Sequence, residues 1–497
     1  MHVHLVGVSG TGMGALAILF REAGHDVSGS DTSFDPPIGP ALEAAGVRCQ
    51  HGFDRAHLEP VPDLIVVGNV VRRDNPEATA IRERDLKATS MSGALREIFL
   101  RGRRPLIVAG THGKTTTSAM CAWILACAEL EPGYFIGGLP KNFPSGAAIG
   151  STKRRLLGGG KPAPFVVEGD EYDAVYWHKK PKFLDYLGGA AGERSADDVV
   201  IVTSVERDHI DIYPDDASYD AAFIALAKAT PKGGLIVCDA GQRRAADLMA
   251  ANADARVVFY ALERDETGPH TPSWLGAPST IGANGMQTFD LYAGGVSCGR
   301  FSMTSPGAHN VRNAVAAIAA CAEGFDVSIT TGRKAMATFE GVRRRQDLIG
   351  EPGGVRVYDD FAHHPTAVTE TLGALRARHP EGKLFAVFEP RSATACRSIH
   401  QDAYSRSFAA ADRVLFAPLG RTNIPDAERL DLRRLASELG HKAEATDSVD
   451  AILARIVAEA HAGDTVALLS NGAFGGLHAR LLAALSSRPS EEIASAP

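Results

Sequence analysis

The stretch Pro105-Leu106-Ile107-Val108-Ala109-Gly110-Thr111-His112-Gly113-Lys114-Thr115-Thr116-Thr117 decides the fold class. An apolar run ends in a short glycine loop and Lys-Thr, and Ser118-Ala119-Met120-Cys121-Ala122-Trp123-Ile124-Leu125 then reads as a helix. Strand, loop and helix in that order make a P-loop. Its glycines let backbone N–H groups face phosphate oxygens, and the helix N-terminus adds positive potential. Gly110, Thr111, His112, Gly113, Lys114, Thr115 and Thr116 are therefore expected to hold ATP, with Lys114 on the outer phosphates and the Thr115 hydroxyl on Mg2+. The loop is shorter than the common form, because Val108 stands where a glycine is expected five residues before Gly113. A Gly-Lys-Thr run also begins ordinary helices, so other segments must support the reading.

Downstream, Phe165-Val166-Val167-Glu168-Gly169-Asp170-Glu171-Tyr172-Asp173 is a strand ending in four acidic residues within six. Beside a P-loop this favours a cation over a merely solvated turn, since the phosphates and Thr115 need a partner carboxylate for Mg2+. A further strand, Val199 to Ser204, leads to Val205-Glu206-Arg207-Asp208-His209-Ile210-Asp211, where His209 is a candidate second metal ligand or acid-base group. Gly307-Ala308-His309-Asn310-Val311-Arg312-Asn313 opens an alanine-rich helix with two asparagines in its first turns, more than capping requires. Gly158-Gly159-Gly160 and residues 263 to 287 read as loops or irregular inserts.

Upstream, His2 to Val6 is a strand, Gly7-Val8-Ser9-Gly10-Thr11-Gly12-Met13-Gly14 a glycine turn before a helix, and Val27 to Asp31 a strand closed by an acid. This βαβ start suits a diphosphate ligand, and Ser9 in place of the second glycine weakens a nicotinamide reading. Leu64 to Asn69 is a buried strand whose end faces the same crevice. Arg101-Gly102-Arg103-Arg104-Pro105 reads as a linker, and Gly341-Val342-Arg343-Arg344-Arg345 as a second boundary. Segments 1–102, 103–340 and 341–497 are thus three expected α/β domains.

In the last segment, Val355 to Asp360 is a strand followed by Phe361-Ala362-His363-His364-Pro365-Thr366. Adjacent histidines point different ways, which argues against a shared two-histidine metal site. Leu384 to Phe388, Arg413 to Ala417 and Val466 to Ser470 are further strands, with Glu389-Pro390-Arg391-Ser392-Ala393-Thr394 and Asn471-Gly472-Ala473-Phe474-Gly475-Gly476 as loops at strand ends. The tail after Ser486 reads as disordered.

The 497 residues suffice for about three cores. A formal charge of −7 without a basic, aromatic-interleaved run argues against nucleic acid. Seven scattered cysteines without a C-x-x-C pair suit reduced thiols in a cytoplasm. Neither a signal peptide nor a membrane span is read.

The ordered motifs resemble the Mur ligases of bacterial cell-wall synthesis. Gly110 to Thr116 is similar to that family's shortened P-loop, Glu168 to its magnesium-binding Glu and His209 to the His of its Glu-x-Asp-His element. Asn313 resembles the adenine-contacting Asn, Arg345 the phosphate-side Arg and Asp360 the ribose-binding Asp. The resemblance implies an N-terminal Rossmann-like domain for a UDP-sugar, a central P-loop ATPase and a C-terminal Rossmann-like domain that closes over ATP. It implies Lys114, Glu168 and His209 as the catalytic set, with Thr115, Glu168 and His209 holding Mg2+. Ser9, Gly10, Thr11, Gly12, Met13, Asp31 and Asn69 would face the UDP-sugar.

Two departures narrow the branch. Tyr219-Asp220-Ala221-Ala222-Phe223 has no lysine where several members carry a carbamylated one, which resembles members acting on UDP-N-acetylmuramate itself. Ser204 stands where many have Asn. In that branch the amine is L-alanine or the recycled tripeptide L-alanyl-γ-D-glutamyl-meso-diaminopimelate. Gly169 to Asp173, Pro181 to Phe183, Glu389 to Ser392 and Ser470 to Gly476 resemble tripeptide-accepting members, and His363, His364, Arg391, Ser392, Ser470 and Asn471 are the expected peptide contacts. Competing readings are a P-loop kinase, a nicotinamide-dependent oxidoreductase and a non-catalytic nucleotide-binding module; oligomeric state is left open.

Overall fold

A computed structural model describes residues 1–36, 38–152, 161–188, 197–282, 285–421 and 423–488. Gly158-Gly159-Gly160 and the tail beyond residue 488 lie outside them. Three α/β domains follow one another, each built on its own mainly parallel sheet.

The first sheet runs Arg48–His51, Asp26–Asp31, His2–Val6, Leu64–Val67, Ala88–Ser90, all parallel. The order reverses between His2–Val6 and Leu64–Val67, so the glycine turn after Val6 and the Gly68-Asn69 turn open side by side. The helix Thr11–Glu22 rises straight from the glycine turn. Helix Pro76–Glu83 begins with proline in its first turn, where no N–H is needed, and the Asn75 side chain accepts from the Glu77 and Ala78 amides.

Glu77 fastens that helix to the sheet. Fully buried, its carboxylate lies 3.2 Å from His4 Nε2 and 2.8 Å from His57 Nδ1, and it accepts from the Ser30 hydroxyl at 2.7 Å. Burial opposes its ionisation, but the bonds from His4 and Ser30 outweigh that and hold the carboxyl below the usual range.

The central sheet runs Val296–Met303, Gln287–Ala293, Trp274–Pro278, Arg256–Leu262, Leu235–Asp239, Val199–Val202, Arg104–Ala109, Pro164–Glu168, Gly133–Phe135, Ala147–Ala148. It is parallel through its middle and antiparallel at both edges. Leu106, Val108, Val199, Ile201 and Val237 are completely buried beneath helices Lys114–Cys127 and Ala308–Phe325. The alanines of the second helix let the two helices pack closely.

Two expectations are corrected here. Arg101 to Pro105 is no free linker: the strand begins at Arg104, and Arg103 and Arg104 are buried, with Arg104 Nε donating to the Asp197 carbonyl at 2.8 Å. Residues 263 to 287 contain a strand, Trp274–Pro278, paired on both sides. Its one large buried side chain, Trp274, supplies too short an apolar pattern to register beside so much Gly, Pro and Ser.

The C-terminal sheet runs Asp347–Gly350, Arg356–Asp360, Thr465–Leu469, Leu384–Phe388, Arg413–Phe416, Ala443–Ala445, parallel except for the first pair. Asp360, Ser470 and Glu389 thus meet at one edge. Among the described residues no helix is long and apolar enough to cross a membrane, and all seven cysteines are free thiols.

Replacing Glu77 by Ala should lower the unfolding free energy by about 3 kcal/mol, because His4 and Ser30 would remain buried without their acceptor. Urea unfolding of the variant and parent checks this.

Candidate active site

The strand Arg104–Ala109 lies between Val199–Val202 and Pro164–Glu168, so the P-loop emerges with Ser204 on one side and Glu168 on the other. The loop is pinned from the Ser204 side. Thr203 Oγ1 donates to the His112 carbonyl at 2.6 Å, Ser204 Oγ accepts from the His112 amide at 3.0 Å, and the Ser204 carbonyl accepts from the Thr111 amide at 3.0 Å. Ser204 therefore supports the turn. Gly113 has φ +77°, and a Cβ there would lie 2.5 Å from Asn313 Oδ1. Both the backbone and the neighbour demand glycine.

Lys114 Nζ donates to the Gly110 carbonyl at 2.6 Å and to both Glu171 oxygens at 3.1 and 2.9 Å. Burial disfavours the ammonium, but Glu171 and Asp170 outweigh it and raise its pKa. The Thr115 hydroxyl donates to Glu168 Oε1 at 2.9 Å, and the Gly137 amide donates to Oε2 at 2.7 Å. His209 Nε2 lies 3.7 Å from Glu171 Oε2, with the Tyr172 ring against the imidazole. Its φ of +53° is rare for a side-chain-bearing residue and turns the ring toward the acids. Burial works against the imidazolium, yet Glu171 and Asp208 raise its pKa.

The C-terminal domain closes the far side. Arg345 Nη2 donates to Thr115 Oγ1 at 3.2 Å, across 230 positions, and its guanidinium stacks on Phe361 at 4.6 Å. Asp360 accepts from the Gln346 and Ala362 amides at 2.7 and 2.8 Å, while burial pushes its carboxyl up. His363 Nε2 lies 3.8 Å from Asp208 Oδ2, and His364 Nδ1 lies 3.6 Å from Glu206 Oε2. The two histidines do part company, as their adjacency predicts. Burial, with His112 and His400 nearby, pushes the His364 imidazole down to about 3.

One cavity of about 560 Å³ joins all three domains. It is lined by Gly10, Thr11, Gly12, Met13 and Asn69 from the first domain, Thr111 to Thr116, Glu168, His209 and Asn313 from the second, and Arg345, Asp360, His363, His364, Ser392 and Asn471 from the third. Ser9, Asp31, Gly110, Arg391 and Ser470 lie outside that lining. Ser9 and Asp31 brace the first glycine turn: the Ser9 amide donates to Asp31 Oδ2 at 2.9 Å and its hydroxyl to the Ser33 carbonyl at 2.5 Å. Buried Ser470 donates to Glu389 and accepts from the Gly472 amide at 2.9 Å, which shapes the loop that carries Asn471.

Glu171 was not singled out from the acidic run, yet it is the acid that holds Lys114. Lys182, in the Pro181-Lys182-Phe183 motif that resembles tripeptide-accepting members, donates its Nζ to Asp170 at 2.6 Å. The four-acid cluster was the available signal for Glu171, because buried carboxylates require cations nearby.

A P-loop ringed by carboxylates and covered by two flanking α/β domains defines an ATP-dependent ligase of three-domain design. The comparisons agree. Residues 2–103 match the model "Mur ligase family, catalytic domain", 190–321 "Mur ligase middle domain" and 344–472 "Mur ligase, glutamate ligase domain". A UDP-N-acetylmuramate--L-alanyl-gamma-D-glutamyl-meso-2,6-diaminoheptandioate ligase of Escherichia coli K12 is 35% identical over 489 residues, 98% of this chain and 99% of that one. A UDP-N-acetylmuramate--L-alanine ligase of Roseiflexus castenholzii is 34% identical over 488 residues, 95% of each. A murein peptide ligase crystal structure from Psychrobacter arcticus superposes with a TM-score of 0.71 at 33% identity, covering 98% of this chain and 99% of that one. The chain belongs to the Mur ligase family, the ATP-using amide ligases of peptidoglycan metabolism.

Gly113→Ala should weaken ATP binding at least about tenfold while leaving the circular dichroism unchanged, since a left-handed alanine costs about 1–2 kcal/mol before the Asn313 clash is added. Titration with a fluorescent ATP analogue checks it.

Proposed function

We propose that the chain joins L-alanyl-γ-D-glutamyl-meso-diaminopimelate to the lactyl carboxylate of UDP-N-acetylmuramate, in the cytoplasm, during peptidoglycan recycling. The carrying observation is the three-domain cavity, whose lining includes Ser392, with the adjacent Arg391 just outside that lining. The Arg391 side chain is 48% exposed, and the carboxylate of Glu389 is 3.9 Å away. A peptide bearing several carboxylates needs such a cation and L-alanine does not.

The lactyl carboxylate attacks the γ-phosphorus of ATP, giving an acyl phosphate and ADP. The alanyl amine then attacks the acyl carbon, phosphate departs and the amine loses a proton. Lys114 must exchange Glu171 for phosphate oxygens at the first step. Arg345, whose Nη2 donates to Thr115, would neutralise the same phosphates. Thr115 and Glu168 offer the hard oxygen pair that suits Mg2+, and His209 with Glu171 and Asp170 offers a second set whose potential ligand atoms all lie within 4.8 Å of one another. Magnesium there would supply neutralisation of charge on the transferring phosphoryl group. Gly10 to Met13 and Asn69 hold the UDP-sugar, and closure of the C-terminal domain keeps water from the acyl phosphate.

The L-alanine ligase of Roseiflexus castenholzii matches almost as much of the chain at nearly the same identity, so the acceptor is the point to test. Phosphate release from ATP with magnesium and UDP-N-acetylmuramate should require the tripeptide; turnover with L-alanine alone would overturn the reading. Arg391→Ala should raise the tripeptide KM about 10- to 100-fold, the worth of a charge-assisted hydrogen bond, with the KM for ATP unchanged. Steady-state kinetics with each substrate varied in turn reads both.

A further inference from the structure

A second cluster of metal-binding side chains lies beside the phosphate site, where the central and C-terminal domains touch. His112 Nε2 is 3.1 Å from Glu206 Oε2, and His364 Nδ1 is 3.6 Å from the same oxygen. The His112 and His364 ring centroids are 4.7 Å apart. One potential ligand atom from each of the three residues falls within 4.8 Å of the others.

The chemistry of this set differs from that of Thr115 and Glu168. Two imidazoles and one carboxylate make a donor set that zinc and its first-row neighbours favour, whereas magnesium prefers oxygen alone. Two further observations point to a ligand. His364 Nδ1 accepts from the Thr366 amide at 3.3 Å, which leaves Nε2 as the nitrogen to ligate; His364 is 93% buried, yet that Nε2 has no hydrogen-bond partner. The His400 ring packs against it at 4.7 Å, and His400 Nε2 is likewise buried without a partner. Glu206 is already oriented, because Thr366 Oγ1 donates to its Oε2 at 2.8 Å.

We propose that His112, Glu206 and His364 bind one zinc-like transition-metal ion that pins the C-terminal domain against the P-loop. His112 and Glu206 belong to the central domain and His364 to the C-terminal one, so the site is complete only when the two are docked. The ion would sit two residues from Lys114 and resist the domain opening that substrate exchange requires. Zinc would then act as a brake on the ligase, separate from the magnesium it uses.

The test uses the full chain, stripped with chelator and free of nucleotide and substrate, so it does not depend on the acceptor. Zinc is titrated by equilibrium dialysis in excess magnesium, and cobalt(II) absorption reports the geometry. One equivalent of zinc should persist in magnesium and remain in His209→Ala and Glu168→Gln, which disable the oxygen-rich sites. It should weaken at least about tenfold in both His364→Gln and His112→Gln, with circular dichroism showing each variant folded. Zinc binding unchanged in the two folded histidine variants, or abolished by His209→Ala alone, would overturn the proposal.

Discussion

The centre of this molecule depends on a largely shielded cation, Lys114, paired with a fully buried acid, Glu171. Lys114 sits beside Glu171, whose side chain is entirely shielded from water, with Asp170 and Glu168 acting on the same ammonium. Separately, these charges would be too costly to bury; together each stabilises the others. Lys182 does the same for Asp170, holding its carboxyl well below the usual range. The strand order makes the cluster possible, because the P-loop strand has the acidic strand as one neighbour and the strand leading to His209 as the other.

A second layer of constraint comes from the C-terminal domain, which meets the P-loop through polar contacts rather than an apolar interface. Arg345 reaches Thr115, His363 approaches Asp208, and Thr366 bonds Glu206. Such contacts are individually modest and depend on geometry, unlike a large apolar interface. Asp360, held by two backbone amides, and the partly buried Arg345, stacked on Phe361, meanwhile brace this edge of the domain.

Much of the site was legible because it is written locally. The P-loop and the acidic strand end are short motifs whose spacing carries their chemistry, the Asn313 helix start and the Asp360 strand end are marked by a family resemblance, and all four reach the cavity. Ser9 and Asp31 show the limit of that logic. They stand where a glycine-turn βαβ unit places ligand contacts, yet their polar groups are spent on fastening the turn. The strand at Trp274 escaped notice for a related reason: its partners on both sides, not its own pattern, hold it in the sheet.

Sequence by itself determined the three α/β segments, their order and the identity of the phosphate-binding loop, because apolar periodicity and glycine placement act over a few residues. Only the tertiary structure decided which acid holds Lys114, that Ser204 supports the P-loop, and that His112, Glu206 and His364 converge. Those pairings join residues from 57 to 252 positions apart. What brings them together is the strand order of the central sheet and the docking of the third domain upon it, and neither leaves a local pattern in the chain.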